Sequence, residues 1–258
     1  MGGEKMDGSS ESANEKIIKS KKRVQNHGEV FTPNRIVKKM LDLPNIREAC
    51  QSLTSTFLEP AAGEGAFLIE VLNRKMKMVA KNYGDDLTRY ENYSLLALST
   101  LYGVELLEDN AQKCVMNMYQ VYYEAYQKQA IEHGAKVKNK VLDSAKLIIS
   151  NNIAQGNFLT KLSANGNSIV FSEWKAINLR KDVKTIMVQR TEYTIQEIID
   201  GIVKESGESS THSVKFEQLD LFDMFDDEEI TETVERRLKY IPVKITDVYK
   251  EEMEEVDG

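Results

Sequence analysis

An α/β fold with a doubly wound, mostly parallel sheet is what this sequence predicts, on three observations. Short apolar runs recur at residues 56–58, 101–106, 152–159 and 168–174, separated by stretches with helical periodicity. The first run ends in Glu59-Pro60-Ala61-Ala62-Gly63-Glu64-Gly65, a carboxylate followed by a tight glycine turn that opens a helix. Strands and helices alternating at this length favour right-handed βαβ units. The pattern changes after Trp174, so the fold is expected to be truncated or modified beyond its fourth strand, with flexible termini.

Taken in order, residues 1–27 read as a flexible basic arm, with Lys19, Lys21, Lys22 and Arg23 solvated or touching phosphates. Phe31-Thr32-Pro33 opens a helix: Thr32 is placed at the N-cap, Pro33 at the first helical position, and Ile36, Val37, Met40 and Leu41 on one face. Leu43-Pro44 ends it, and a short helix follows through Cys50. After the glycine turn a helix is expected over 66–80, a short one over 93–99, a long one from Glu108 to His133 and another over 137–150. Residues 185–190 are expected to pair with the fourth strand. Residues 194–203 read as an amphipathic helix, 204–213 as a linker, and 240–247 as an edge strand tolerating Pro242. The implied organisation is a cofactor-binding domain over 28–203, an acidic linker over 204–237, and an edge strand with an acidic tail over 238–258.

Composition narrows the function classes. With 41% hydrophobic and 29% charged residues, the chain reads as soluble and globular, and no apolar run is long enough to span a bilayer. A cytoplasmic location is expected from two cysteines, Cys50 and Cys114, without metal-ligand spacing; with three scattered histidines, no metal site is expected. The net charge of −7 is unevenly spread. Residues 217–258 carry 15 acidic and 5 basic side chains, leaving 29 basic against 26 acidic before them. A mildly basic body permits nucleic-acid contact without demanding it.

Ligands of open α/β sheets bind beyond the carboxyl ends of the strands. Three such ends carry candidate groups: Glu59, Pro60, Ala61, Gly63 and Gly65 at the first, Glu105 and Leu106 at the second, Asn157 and Phe158 at the third. A carboxylate in the position of Glu105 suits ribose hydroxyls. An amide followed by an aromatic ring can read the edge of an adenine and pack on its face.

The chain resembles the amino-terminal half of the S-adenosylmethionine-dependent adenine DNA methyltransferases, especially the modification subunits of restriction systems. Phe31-Thr32-Pro33 matches the family's "FTP" segment. Glu59-Pro-Ala-Ala-Gly-Glu-Gly-Ala-Phe67-Leu68 matches its first glycine motif, Tyr102-Gly-Val-Glu105 its ribose-binding strand, and Gly156-Asn157 replaces its usual Gly-Asp. The resemblance spans about residues 28–160. It implies a Rossmann-like class I methyltransferase fold, S-adenosylmethionine as cofactor, DNA as partner and a separate specificity subunit. One part is absent. The family's (Asp/Asn/Ser)-Pro-Pro-(Tyr/Phe) motif holds the flipped adenine, yet the four prolines here, Pro33, Pro44, Pro60 and Pro242, include no adjacent pair. The fourth strand ends instead in Ser172-Glu173-Trp174, where Trp174 could stack on an acceptor and Glu173 could act as base, or Trp174 could pack and Glu173 face water.

The tail adds a second signal. Gln218-Leu219-Asp220-Leu221-Phe222 resembles the bacterial sliding-clamp-binding peptide. The same residues also suit an amphipathic helix docking on the body. Three functions follow from these features: a DNA adenine-N6 methyltransferase or restriction–modification subunit, a non-catalytic clamp-binding module on the same fold, and a methyltransferase of protein or small molecules.

Overall fold

Three parallel strands frame the first half of the chain: β1 (Phe57–Glu59), β2 (Leu101–Glu105) and β3 (Ile153–Asn157), with Phe57 opposite Leu101 and Gly103 opposite Ile153. This computed structural model describes residues 19–27, 29–180, 182–218 and 232–256, and for His27, 211–218 and 232–237 the backbone alone. Helices α4 (Ala66–Tyr83) and α5 (Leu87–Leu98) connect β1 to β2, and α6 (Glu108–Glu132) and α7 (Asn139–Asn152) connect β2 to β3. The strands lie in the order 1-2-3, so two crossovers of the usual right hand place their helices on one face. Alternation along β2 agrees. Leu101 packs in the core with Leu68, Leu72, Cys114, Met118 and Ile148, while Val104, flanked by Tyr102, packs with Ile169, Phe171 and Ile195 on the other face.

On that second face β2 meets Ile169 and Phe171 of the following ribbon and Ile195 at the start of a short helix. Trp174, Ile186 and Val188 of the ribbon pack into the first core. The run at 168–174 does form a strand, β5 (Val170–Ala176), but β5 pairs antiparallel with β6 (Met187–Thr194) and does not extend the parallel sheet. The chain between β3 and β5 holds only the two-residue β4 (Leu162–Ser163), antiparallel to β3, and no helix with which to make a parallel crossover. The strand-order reversal that defines a doubly wound sheet is therefore absent among the described residues. The outer edge of β1 has no strand partner among them either.

The remaining elements differ from the sequence reading by small, explicable steps. Residues Lys21–His27 form a helix, α1, within the stretch expected to be a flexible arm. Helix α2 (Asn34–Leu41) starts one residue later than expected, with Pro33 itself at the N-cap, and α3 (Pro44–Ala49) follows. Helix α5 reaches back to Leu87 because the Asp86 carboxylate accepts the Arg89 N–H at 3.1 Å and caps it. The amphipathic stretch after Thr194 is cut to α8 (Ile195–Ile199), opened by a reciprocal Thr194–Glu197 capping box. The stretch expected to be a linker enters β7 (Glu208–Gln218), which pairs with β8 (Glu232–Tyr240), and β10 (Met253–Val256) joins the outer side of β8. The edge strand expected over 240–247 is instead a two-residue β9 (Val243–Lys244) against β6, then a 3-10 helix (Ile245–Lys250) that buries Ile245. Both cysteines are buried and unpaired.

Candidate cofactor-binding site

The glycine turn and Glu105 form one hydrogen-bonded unit. Gly63 has φ +55° and Gly65 φ +92°, a region that side chains with a Cβ rarely adopt. At Gly65 an added Cβ would also lie 2.8 Å from the Cys114 Sγ, so this glycine lets the start of α4 pack against α6. Gly63 faces the opening, and its N–H donates to Glu105 Oε2 at 2.8 Å. Glu105 Oε1 accepts the Leu107 N–H at 3.0 Å and the Asn110 Nδ2 at 3.3 Å. A carboxylate offers about four acceptor positions. Three are used, which leaves Glu105, buried but at the wall of a cavity, able to accept from a ligand hydroxyl.

That cavity, about 570 Å³, lies at the carboxyl ends of all three parallel strands. Its volume is within the usual range for cofactor pockets. Pro60, Ala61 and Gly63 come from the first turn, Glu105 and Leu106 from the second strand's end, Asn157 and Phe158 from the third, and Phe31 closes one side. The Asn157 Oδ1 accepts the Leu159 and Thr160 N–H groups at 2.9 and 3.4 Å, which shapes the turn and leaves Nδ2 as the group it can offer a ligand. Leu106 and Leu159 are exposed beside it, an apolar surface that a planar ring would cover.

A neighbouring cleft of about 720 Å³ shares Val30, Phe31, Ala61 and Gly63 with this cavity. Thr32, Pro33, Glu59 and Phe67 line the cleft and not the cavity, and Gly65 lines neither. Burial pushes the Glu59 carboxyl above its ordinary pKa, opposed only by the Ala61 N–H. Glu64, at the tip of the turn, accepts from Lys19 at 2.8 Å and Lys113 at 2.9 Å. Burial alone would raise its pKa; the two ammonium groups outweigh that and hold it low.

The proposed acceptor residues do not reach this cavity. Along β5 alternate side chains point to opposite faces, and Ser172 and Trp174 face inward. The Ser172 Oγ accepts from Arg190 Nε at 2.8 Å, and Trp174 Nε1 donates to Asn152 Oδ1 at 3.4 Å. With 6% of its surface exposed, Trp174 is a core residue and has no face free for stacking. Glu173 is exposed, in a separate groove of about 480 Å³ with Leu58, Tyr102, Phe171, Lys175 and Tyr193, and no residue lines both this groove and the cavity. Of the clamp-like peptide, the backbone of Gln218 ends β7; Leu219, Asp220, Leu221 and Phe222 lie outside the described residues.

The structure also assigns cavity positions that the sequence reading did not single out: Glu29, Val30, Leu107, Asn110 and Leu159. Two had a readable signal. Glu29 stands just before the Phe-Thr-Pro segment, and Asn110 lies in the first turn of the helix after Glu105.

A glycine turn, a strand-end carboxylate and a polar–aromatic pair thus meet around one cavity at the carboxyl ends of the parallel strands, where ligands of α/β sheets bind. More narrowly, the family model described as N-6 DNA Methylase matches residues 13–199, and the chain belongs to that family. No curated protein and no solved structure matches the chain. No helix among the described residues is long and apolar enough to cross a membrane.

Proposed function

We propose that this chain binds S-adenosylmethionine in the 570 Å³ cavity and serves as the cofactor-binding part of a DNA adenine-N6 methyltransferase, in the manner of a restriction–modification subunit. The observation that carries this is the Glu105 carboxylate, tied to Gly63, Leu107 and Asn110 with acceptor capacity to spare. In this reading Glu105 accepts from the ribose hydroxyls, Phe158 and the leucines cover the adenine, and Asn157 donates to its edge. Phe31 and Glu59 enclose the amino-acid end. The bound cofactor would supply an electrophilic methyl group, and the protein's part is to hold it in position for attack.

The acceptor side is assigned to another polypeptide. Two features support this: the missing Pro-Pro motif, and a β1 edge without a strand partner among the described residues, beside an apolar groove. Parallel sheets are ordinarily covered, and an open strand edge is a template for a strand from a second chain. A specificity subunit and DNA would complete the assembly. The five-residue match at Gln218–Phe222 supports a second reading, a catalytically silent module carried to the sliding clamp.

Calorimetric titration of the purified chain with S-adenosylmethionine, beside Glu105→Ala, tests the proposal. Saturable binding is expected, weakened at least tenfold in the variant, about 1.4 kcal/mol or more. A well-folded parent that takes up no heat would overturn it.

A further inference from the structure

Lys19 and Arg23 sit in a charge cluster that the proposed cofactor chemistry does not use. The Lys19 Nζ contacts Glu64 of the glycine turn at 2.8 Å, Asp109 of α6 at 3.1 Å and the Asn110 Oδ1, and lies 5.6 Å from the centre of the Phe31 ring. Arg23 contacts Asp109 at 2.9 and 3.0 Å and grips Glu29 through two bonds, at 2.5 and 2.8 Å. The cluster therefore ties the segment before Phe31 to the glycine turn and to the first turn of α6, on either side of the cavity mouth.

Asn110 is the joint between this cluster and Glu105. Its Oδ1 is taken by the Lys19 ammonium, so its Nδ2 must face the carboxylates, and it reaches Glu29 Oε1 at 2.6 Å and Glu105 Oε1 at 3.3 Å. An amide turned the other way would set a carbonyl oxygen against two carboxylates and its NH2 against an ammonium. Lys19 thus selects the one orientation in which Asn110 steadies Glu105. Asn110 is 1% exposed, and both ends of its amide are engaged.

We infer that Asn110 is a positioning residue for Glu105 and that Lys19 and Arg23 form an ionic latch holding the segment around Phe31 against the cofactor cavity. The inference rests on the proposed cofactor reading and adds how that site is kept closed. Lys19 and Arg23 keep part of their surface in water, so the latch is sensitive to salt in a way that the buried contacts of Glu105 are not.

The test follows release of S-adenosylhomocysteine from the full chain by stopped-flow, at about 0.05 M and 0.5 M salt. The parent is expected to release the ligand faster at high salt. Lys19→Ala/Arg23→Ala is expected to release it roughly fivefold to tenfold faster at low salt and to lose most of the salt effect. Lys19→Arg should restore it. Asn110→Asp, which places a third carboxylate between Glu29 and Glu105, should weaken binding more than Asn110→Ala. Parent binding with unchanged release in the double variant would overturn the latch while leaving the cofactor reading intact. A parent that binds nothing overturns both. A purely structural role for the two cations would lower the melting temperature and leave the salt dependence as it was, and that result also overturns the latch.

Discussion

Lys75 is wholly buried in the middle of α4, and no carboxylate among the described residues is bonded to it. Its ammonium donates to the Ser52 and Ser55 carbonyls at 2.8 and 3.0 Å and lies 5.6 Å from the Phe57 ring centre. These contacts fix the loop leading into β1, and through it the entry to the glycine turn. Burial depresses the Lys75 pKa from 10.5 to about 8. Below pH 8 the group is charged in both folded and unfolded chains, and folding bears the full desolvation penalty. Between pH 8 and 10.5 the unfolded chain still binds the proton and the folded one has released it, so stability contributed at this site rises with pH. Urea denaturation should show it by difference. From pH 7 to 10.5 the parent is expected to gain on the order of 3 kcal/mol relative to Lys75→Met, whose curve lacks this term. A constant gap between the two proteins across that range would refute the assignment.

At the scale of elements, the decisive feature is the ribbon of β5 and β6, and one residue holds it in place. Arg190 on β6 is 6% exposed and bonds Ser172 Oγ of β5, Asn151 of α7, Glu192 and Glu251, with its guanidinium 4.4 Å from the Tyr240 ring centre and 5.3 Å from that of Trp174. This explains why Ser172, Glu173 and Trp174 looked like a strand's end in the sequence. The Ser172 hydroxyl and the Trp174 indole N–H serve buried contacts inside a strand that continues to Ala176, while Glu173 faces the groove on the other side. Arg190→Ala removes the guanidinium that Ser172, Asn151, Glu192 and Glu251 share, although Ser209, Ser210 and the Tyr240 hydroxyl still donate to the Glu192 carboxylate; the expected loss is about 3–5 kcal/mol. Arg190→Ala/Glu192→Gln should recover part of that, because a buried neutral amide does not need the guanidinium as a buried carboxylate does. Equal destabilisation of the single and double variants in urea would show that packing against Trp174 and Tyr240 dominates instead.

For the whole molecule, the legible part of the sequence was the part whose residues answer to local geometry. Gly63 and Gly65 announce positive φ, Glu105 ends an apolar run, and the long helix after it keeps one period for 25 residues. The placement of β5 was not legible, since an apolar run of that length fits a parallel or an antiparallel neighbour equally, and only the missing crossover helix decides. The same decision leaves the outer edge of β1 without a strand partner among the described residues. Leu58 is 43% exposed there, beside a groove lined by Tyr102, Phe171 and Tyr193 and flanked by exposed Ile198, Ile202 and Val203. An unblunted edge next to an apolar groove invites pairing with another chain. Alone in solution the purified protein is therefore expected to self-associate as its concentration rises through tens of micromolar, roughly the range in which small apolar contacts become populated. Leu58→Lys places a charge on the edge and should keep the protein monomeric. Leu58 lines the groove and not the cofactor cavity, so the same variant should titrate S-adenosylmethionine like the parent. Sedimentation velocity over a concentration series separates the possibilities. Association lost in the variant assigns the contact to the β1 edge, association shared by both places it elsewhere, and a parent monomeric throughout would mean that the edge needs a dedicated strand before it pairs at all.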